Sequence, residues 1–111
     1  MTNASSRKVC HVDAGLLGIE EINNSLNNVT SRWRYYPDNQ TIGAEFEFDS
    51  YPQAVAFANA VAWIAMQQDH HPELKLSFRK CTVSYTTYTV NGVTVNDFIC
   101  AEKIDALLKA R

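Results

Sequence analysis

The amino-acid sequence predicts an α+β domain in which a four-stranded antiparallel sheet carries its helices on one face. Two observations support this fold class. Apolar and polar residues alternate in paired segments that are separated by turn residues, as they do in antiparallel hairpins. Stretches with apolar residues at helical spacing precede, separate and follow these pairs. The predicted order of elements is therefore α-β-β-α-β-β-α.

The first helix is predicted over residues 16–29, and a hairpin follows it. Polar side chains fill one face of the helix, and its apolar face comprises Leu16, Ile19, Ile22, Leu26 and Val29. The aromatic segment 32–36 reads as a strand that ends at the turn residues 37–39. Strict alternation over residues 42–48 then predicts a half-buried strand with one wet face.

The second helix is predicted to begin at a capping box and to end before a proline. Ser50 and Gln53 have the capping-box spacing, and the apolar face continues to about residue 68. Pro72 disfavours helical backbone at the residue before it, so residues 69–72 end the helix.

A second pair of strands and a last helix complete the predicted domain. The alternating segments 74–79 and 81–86 are the strands, and Asn91-Gly92 marks a turn after them. Thr94 and Asp97 have the spacing of a helix cap. The buried side of this third helix is predicted to comprise Phe98, Ala101, Ile104 and Leu108.

The composition fits one globular domain. The chain has 111 residues, of which 46% are hydrophobic and 20% charged, enough to form a core without disulfide bonds. Residues 1–15 are predicted to be a flexible N-terminal tail and residues 16–111 a single domain.

The net charge of −2 lacks the basic excess of nucleic-acid-binding proteins. No apolar run approaches the ~18 residues of a membrane span, so neither nucleic acid nor a membrane is expected as a partner.

The cysteines and the N-terminus predict a cytoplasmic protein. Cys10, Cys81 and Cys100 are odd in number and form no C-x-x-C motif. They are expected to be reduced thiols, two of them in the core. The first residues lack the apolar stretch of a secretory signal.

The histidines are the residues that most directly indicate chemistry. The chain has three, and two of them, His70 and His71, are adjacent at the predicted helix end, while His11 lies in the predicted tail. Imidazole titrates near physiological pH, so it can give and take protons in general acid-base catalysis. From the pair alone, a solvated helix end without a role remains open. A zinc site is the other alternative, but no third ligand stands at a familiar spacing.

Residues spread over most of the chain form a wider pattern. They are Phe46-Glu47-Phe48, residues 54–65, His70-His71-Pro72, Phe78, Thr86-Thr87, Asn91-Gly92-Val93-Thr94, Asp97 and residues 101–105. This pattern resembles the pterin-4a-carbinolamine dehydratase family. In that family an F-x-x-x-V-A helix leads to H-H-P, and an aromatic residue follows six positions after the proline. A T-H-x-x-x-G-[LV]-T segment and an aspartate in the last helix come next. Trp33 also matches a family tryptophan, and the resemblance covers residues 16–108.

The resemblance implies an enzyme that dehydrates 4a-hydroxytetrahydropterin to quinonoid dihydropterin, which serves recycling of the cofactor of aromatic amino acid hydroxylases. It implies no metal and no organic cofactor, and assembly as a homodimer or homotetramer. His70 and His71 would carry the acid-base work, with Tyr88 in the slot of a third catalytic histidine. The residues implied to bind the pterin substrate are Asp69, His70, His71, Thr86, Thr87, Tyr88, Thr89 and Asp97.

Two positions depart from the family pattern. Met66 stands where the family commonly has a glutamate, so it either removes a supporting charge or is simply a core methionine. Tyr88 replaces a histidine, and a phenol with a pKa of ~10 is a poor proton shuttle near neutral pH. The alternative function is therefore a catalytically weak or inactive member that binds a pterin or another protein, in the manner of the family's transcriptional coactivator.

Overall fold

A computed structural model describes residues 8–109, and the predicted tail before residue 8 lies outside the described residues. The elements are α1 (Ile19–Leu26), β1 (Arg34–Tyr36), β2 (Thr41–Glu47), α2 (Tyr51–Gln68), β3 (Glu73–Leu76), β4 (Lys80–Tyr85) and α3 (Val95–Lys109). The predicted α-β-β-α-β-β-α order is confirmed. No helix in this described part of the chain is long and apolar enough to cross a membrane.

The strands form one antiparallel sheet in the order β1-β2-β4-β3. The first hairpin pairs β1 with β2, and its register sets Tyr35 opposite Ile42. The central strands β2 and β4 pair along their length, with Ala44 opposite Val83. β3 pairs with β4 from the other side. The two predicted hairpins therefore join through their longer strands, and β1 and β3 are left as edges.

The core lies between one face of the sheet and the helices. Alternate residues of the central strands are buried, namely Ile42, Ala44 and Phe46 in β2 and Cys81, Val83 and Tyr85 in β4. The intervening residues lie on the other face, as the alternation predicts; they are exposed or half-buried except Gly43, which is buried. Phe57 of α2 packs on Phe46 with ring centroids 4.6 Å apart, and Trp33 meets the same ring edge-on at 6.0 Å. Each such buried large side chain contributes about 1.5–3 kcal/mol to folding.

The boundaries of α2 follow from side-chain capping and from a left-handed residue. The Ser50 hydroxyl accepts a hydrogen bond from the backbone N–H of Gln53 at 3.4 Å. The side-chain oxygen of Gln53 accepts from the backbone N–H of Asp49 at 2.9 Å. The helix ends at Asp69, whose backbone is left-handed with φ 51° and ψ 43°. This residue turns the chain out of the helix immediately before the histidine pair.

The first helix is shorter than the predicted 16–29. It begins after Gly18, whose N–H donates to the Glu21 side chain at 2.9 Å, and it ends at Leu26. Ile22 is buried, whereas Leu16 and Ile19 are more than half exposed. The apolar spacing continues beyond the helix, because Val29, which follows it, still packs against the core.

The N-terminal segment of residues 8–15 lies against α2 and α3. The Cys10 N–H donates to the Gln68 side chain at 2.8 Å, and the His11 N–H donates to Asn96 Oδ1 at 3.1 Å. Lys8 and Glu102 form an exposed ion pair at 3.2 Å. The sequence did not predict these contacts, and the flexibility of residues 1–15 as a whole stays a prediction.

Candidate active site

A cleft of about 400 Å³ opens where the end of α2, the start of α3 and the segment after β4 meet. It is lined by Cys10, His11, Val12, Gln68, Asp69, His70, His71, Thr86, Thr87, Tyr88, Thr89 and Asn96. Every predicted site residue except Asp97 lines this cleft. The structure thus brings together side chains from the helix end at 69–71 and from the segment 86–89, as the resemblance implies.

His70 is held firmly at the inner wall of the cleft. Its Nε2 lies 2.6 Å from Oδ1 of Asp97, and its ring stacks on Tyr85 with ring centroids 5.0 Å apart. The Tyr85 hydroxyl donates to the His70 carbonyl at 3.1 Å, and 13% of the His70 side chain is exposed. Because Asp97 occupies Nε2, proton exchange between His70 and a ligand would use Nδ1.

Asp97 lies behind His70 in the first turn of α3, and its side chain is fully buried. Its Oδ2 accepts from the Thr87 hydroxyl at 3.0 Å and from the Thr94 N–H at 2.9 Å. The Thr87 hydroxyl has one proton and gives it to Asp97, so the Thr94 hydroxyl must be the donor in the 2.8 Å bond between the two threonines. One carboxylate therefore completes the predicted helix cap and orients a histidine.

The burial of Asp97 changes its expected role. The Asp97 side chain has no exposed surface and does not line the cleft. A direct contact between Asp97 and a substrate therefore has no support in this geometry and stays a prediction. Its hydrogen bonds instead favour an effect through His70. This arrangement resembles the way buried carboxylates fix the tautomer and orientation of catalytic imidazoles.

The environment of His70 favours its protonated form. Burial alone would lower the pKa of His70, but the hydrogen bond and negative charge of Asp97 outweigh burial and raise the pKa above its ordinary value. The pair is mostly shielded from water, so the attraction is screened less than that of a surface ion pair.

His71 has a different environment from its neighbour. Its side chain is 65% exposed, and Nε2 lies 4.0 Å from Oδ1 of the exposed Asp69. Exposed pairs at this distance contribute little to stability. The two adjacent imidazoles therefore line one cleft as an anchored inner group and a solvent-accessible outer group.

The segment after β4 forms the opposite side of the cleft. Thr87 and Gly92 close a turn in which the Thr87 N–H donates to the Gly92 carbonyl at 2.8 Å. The Thr86 hydroxyl donates to the Gln40 carbonyl at 2.8 Å, so this side chain is already engaged. Tyr88 extends from the turn and is 66% exposed. This side of the cleft therefore presents a phenol.

The structure also clarifies Met66 and identifies cleft residues that the sequence did not indicate. Met66 is 62% exposed on α2, so the alternative that it is a core methionine is wrong. Gln68, Asn96 and residues 10–12 line the cleft, although no sequence motif indicated them as site residues. The only sequence signal for them was that His11 is one of three histidines in the chain.

Other concave regions carry fewer groups suited to proton transfer. A larger depression of about 650 Å³ on the open face of the sheet is lined by Ser31, Arg32, Arg34, Tyr36, Glu45 and Glu47, and it contains no histidine. Within residues 8–109, no group of three or more histidine, cysteine, aspartate or glutamate side chains is arranged to hold a metal ion.

Comparisons with known proteins indicate the family of this chain. The sequence profile described as pterin 4 alpha carbinolamine dehydratase matches residues 16–107. A Legionella pneumophila (strain Corby) protein named "Putative pterin-4-alpha-carbinolamine dehydratase" is 41% identical over 111 residues, which span 97% of this chain and 98% of that protein. A Nitrosospira multiformis protein of the same name is 43% identical over 102 residues, 92% of this chain and 88% of that protein.

Solved structures share the fold. The crystal structure of a transcriptional coactivator/pterin dehydratase from Brucella melitensis superposes with a TM-score of 0.79 and 29% identity, covering 84% of this chain and 98% of that one. A pterin dehydratase-like protein described as a RuBisCO assembly factor in the α-carboxysome has a TM-score of 0.59 and 24% identity, and it covers 68% of this chain and 87% of that one. This second likeness shows the fold alone. The match over nearly the whole chain places this protein in the pterin-4a-carbinolamine dehydratase family.

Proposed function

We propose that the protein dehydrates a 4a-hydroxytetrahydropterin to the quinonoid dihydropterin by general acid-base catalysis. The observation that carries this proposal is the cleft in which the Asp97-anchored His70 and the exposed His71 stand side by side. The Legionella and Nitrosospira relatives carry the name of this activity. A bicyclic ring with polar edges also suits a cleft of about 400 Å³ that is lined by imidazoles and hydroxyls.

The reaction needs one proton donor and one proton acceptor. The C4a–O bond breaks as the hydroxyl leaves as water, and the leaving oxygen takes up one proton. The N5–H bond breaks, and its electron pair forms the new C4a=N5 double bond. No net proton is gained or lost, so the chemistry needs at least two titrating groups in one cleft.

The environments of the two histidines favour a division of these tasks. The raised pKa of His70 favours the imidazolium form, which suits delivery of a proton from Nδ1 to the leaving hydroxyl. His71 is solvent-exposed and can accept the N5 proton and release it to water. The opposite face of the ring would rest against Tyr88, since phenol rings stack on flat ligands and donate hydrogen bonds.

The test is turnover of a chemically generated 4a-hydroxytetrahydropterin. We expect His70→Ala and His71→Ala each to lower kcat by about 10²–10⁴-fold, as loss of one acid-base group does. Asn24→Ala, a substitution at an exposed residue of α1 that does not line the cleft, is the control for handling and purification. Equal rates for the unchanged protein and both histidine variants would overturn the proposal.

A second candidate is a member that binds a pterin or another protein without catalysing efficiently. The exposed Tyr88 favours it, because a phenol stands where the family pattern has an imidazole. The variant Tyr88→His separates the two candidates. A large gain in kcat would indicate that the native protein is a weak catalyst, whereas an unchanged or lower kcat would indicate an active site adapted to tyrosine.

We also propose that the protein forms a homodimer or homotetramer. The edge strand β3 is exposed along its whole length, and its unpaired backbone groups can pair with a second chain. Exposed apolar side chains on and after this edge, Leu74, Leu76 and Phe78, would be covered in such an assembly. Light scattering coupled to size-exclusion chromatography tests this, and a strictly monomeric species at micromolar concentration would contradict it. The cytoplasmic location stays a prediction.

A further inference from the structure

We infer that His11 is a third proton-exchanging imidazole of the cleft and contacts the bound substrate from the N-terminal segment. The inference rests on the proposed function and extends it to a residue that lies outside the matched family region of residues 16–107. His11 lines the same cleft as His70, His71 and Tyr88.

Hydrogen bonds fix the backbone of this segment at the cleft. The Asn96 side chain forms two hydrogen bonds with the His11 backbone. Its Oδ1 accepts from the His11 N–H at 3.1 Å, and its Nδ2 donates to the His11 carbonyl at 2.7 Å. Gln68, at the end of α2, accepts from the Cys10 N–H at 2.8 Å. The segment is therefore attached to the same helix ends that position His70 and Asp97. Since these bonds use the backbone of residues 10 and 11, the His11 side chain is not needed to hold the segment in place.

The His11 side chain is paired in the manner of an acid-base group. Its Nδ1 lies 3.1 Å from Oδ1 of Asp13, and 54% of the side chain is exposed. The hydrogen bond from His11 is the main cause that lowers the pKa of Asp13, so the carboxylate remains ionised as a partner. With Nδ1 turned to Asp13, Nε2 is the ring atom left for a ligand. The exposed pair contributes little to folding, which makes a purely structural purpose a poor explanation for it.

Tyr88 supplies the chemical reason for a third imidazole. A phenol is a poorer general acid-base group than an imidazole near neutral pH, so the Tyr88 side of the cleft lacks an efficient proton shuttle. His11 enters the cleft from a different segment and can relay a proton between the substrate and water. In this role His11 shares one of the two transfers given above to His70 and His71. The proton that it accepts from N5, or gives to the leaving hydroxyl, is balanced by the opposite transfer at that pair.

The first arm of the test is kinetic. We expect His11→Ala to lower kcat by about 10²-fold with a smaller change in KM, and Val9→Ala, an exposed residue in the same segment that does not line the cleft, to leave both unchanged. Adding Tyr88→His to His11→Ala should restore much of the lost kcat, because an imidazole then returns to the cleft. If His11→Ala matches Val9→Ala while His70→Ala is inactive, the inference fails and the proposed dehydration stands.

The second arm does not depend on turnover. Ring protons of His11 are followed by NMR while 7,8-dihydrobiopterin is added to the full chain. We expect saturable shifts at His11 with the same Kd as at His71. Unperturbed His11 signals at saturation would overturn the inference, even if the protein proved to be an active dehydratase. If the unchanged protein shows no turnover, the dehydration proposal fails, and this binding measurement alone decides whether His11 belongs to the site.

Discussion

Two buried carboxylates on α3 behave differently, although they lie on the same helix. Asp97 contacts an imidazole that lines the cleft, with Nε2 of His70 at 2.6 Å. Asp105 is also buried, but it accepts from the Trp33 indole at 2.9 Å and from the Thr30 N–H and hydroxyl at 2.8 and 3.1 Å. None of these donors titrates near neutral pH. Burial of a carboxylate is therefore not by itself a sign of function. Pairing of a buried carboxylate with a titratable group beside a cleft is such a sign.

The largest expected difference between the two carboxylates is in catalysis. We expect Asp97→Asn to lower kcat by about 10²–10⁴-fold, because the amide cannot hold His70 protonated and oriented as the carboxylate does. The matched Asp105→Asn change should leave kcat of the folded protein unchanged. Steady-state kinetics on both variants make the measurement. Equal losses of kcat in the two variants would contradict a catalytic difference between Asp97 and Asp105.

The Asp105 site is expected to matter for stability and not for catalysis. Asp105→Ala should lower the free energy of unfolding by about 3 kcal/mol, because it leaves the Trp33 indole N–H and two Thr30 donors without their acceptor in a buried region. Urea denaturation followed by tryptophan fluorescence measures the change, and kcat per folded molecule should be retained. A loss of kcat that exceeds the loss of folded protein would show that the Asp105 site reaches the chemistry.

The smallest expected effect is a pH dependence that only the Asp97 site has. Folded His70 holds its proton more tightly than an unfolded histidine, since its pKa is raised. The resulting stabilisation is complete below the unfolded pKa of about 6.5 and is lost as the pH rises through the raised value. Denaturation at a series of pH values should show this decline in the unchanged protein and in Asp105→Asn, and a flatter profile in His70→Asn. An equal slope in His70→Asn would assign the decline to another group.

Much of the fold was readable from the sequence, because its main signals are local. Alternation in β2 and β4 fixed which residues face the core, and the Ser50 and Thr94 caps set the starts of two helices. The attachment of residues 8–15 was not predictable, since it uses backbone groups and two amide side chains, Gln68 and Asn96. Such contacts leave no periodic pattern in a sequence.

The candidate site was predictable in part of its membership and not in its arrangement. The adjacent histidines and the segment 86–89 were identified from motifs, and they line one cleft. The pairing of His70 with Asp97 joins residues 27 positions apart, and no local rule indicates which histidine takes that partner. The burial of Asp97 likewise depends on how α3 packs against α2 and β4, which is a property of the assembled fold.

The left-handed residue Asp69 makes the spacing of the histidine pair as important as its composition. Beyond this residue the chain leaves the helix, and the first imidazole takes an inward position, 13% exposed, whereas the second is 65% exposed. Inserting a single alanine between Asp69 and His70 would give the inward position to a methyl group and carry both imidazoles one step along the chain. An insertion of one residue would therefore separate Asp97 from His70 while leaving every original residue present.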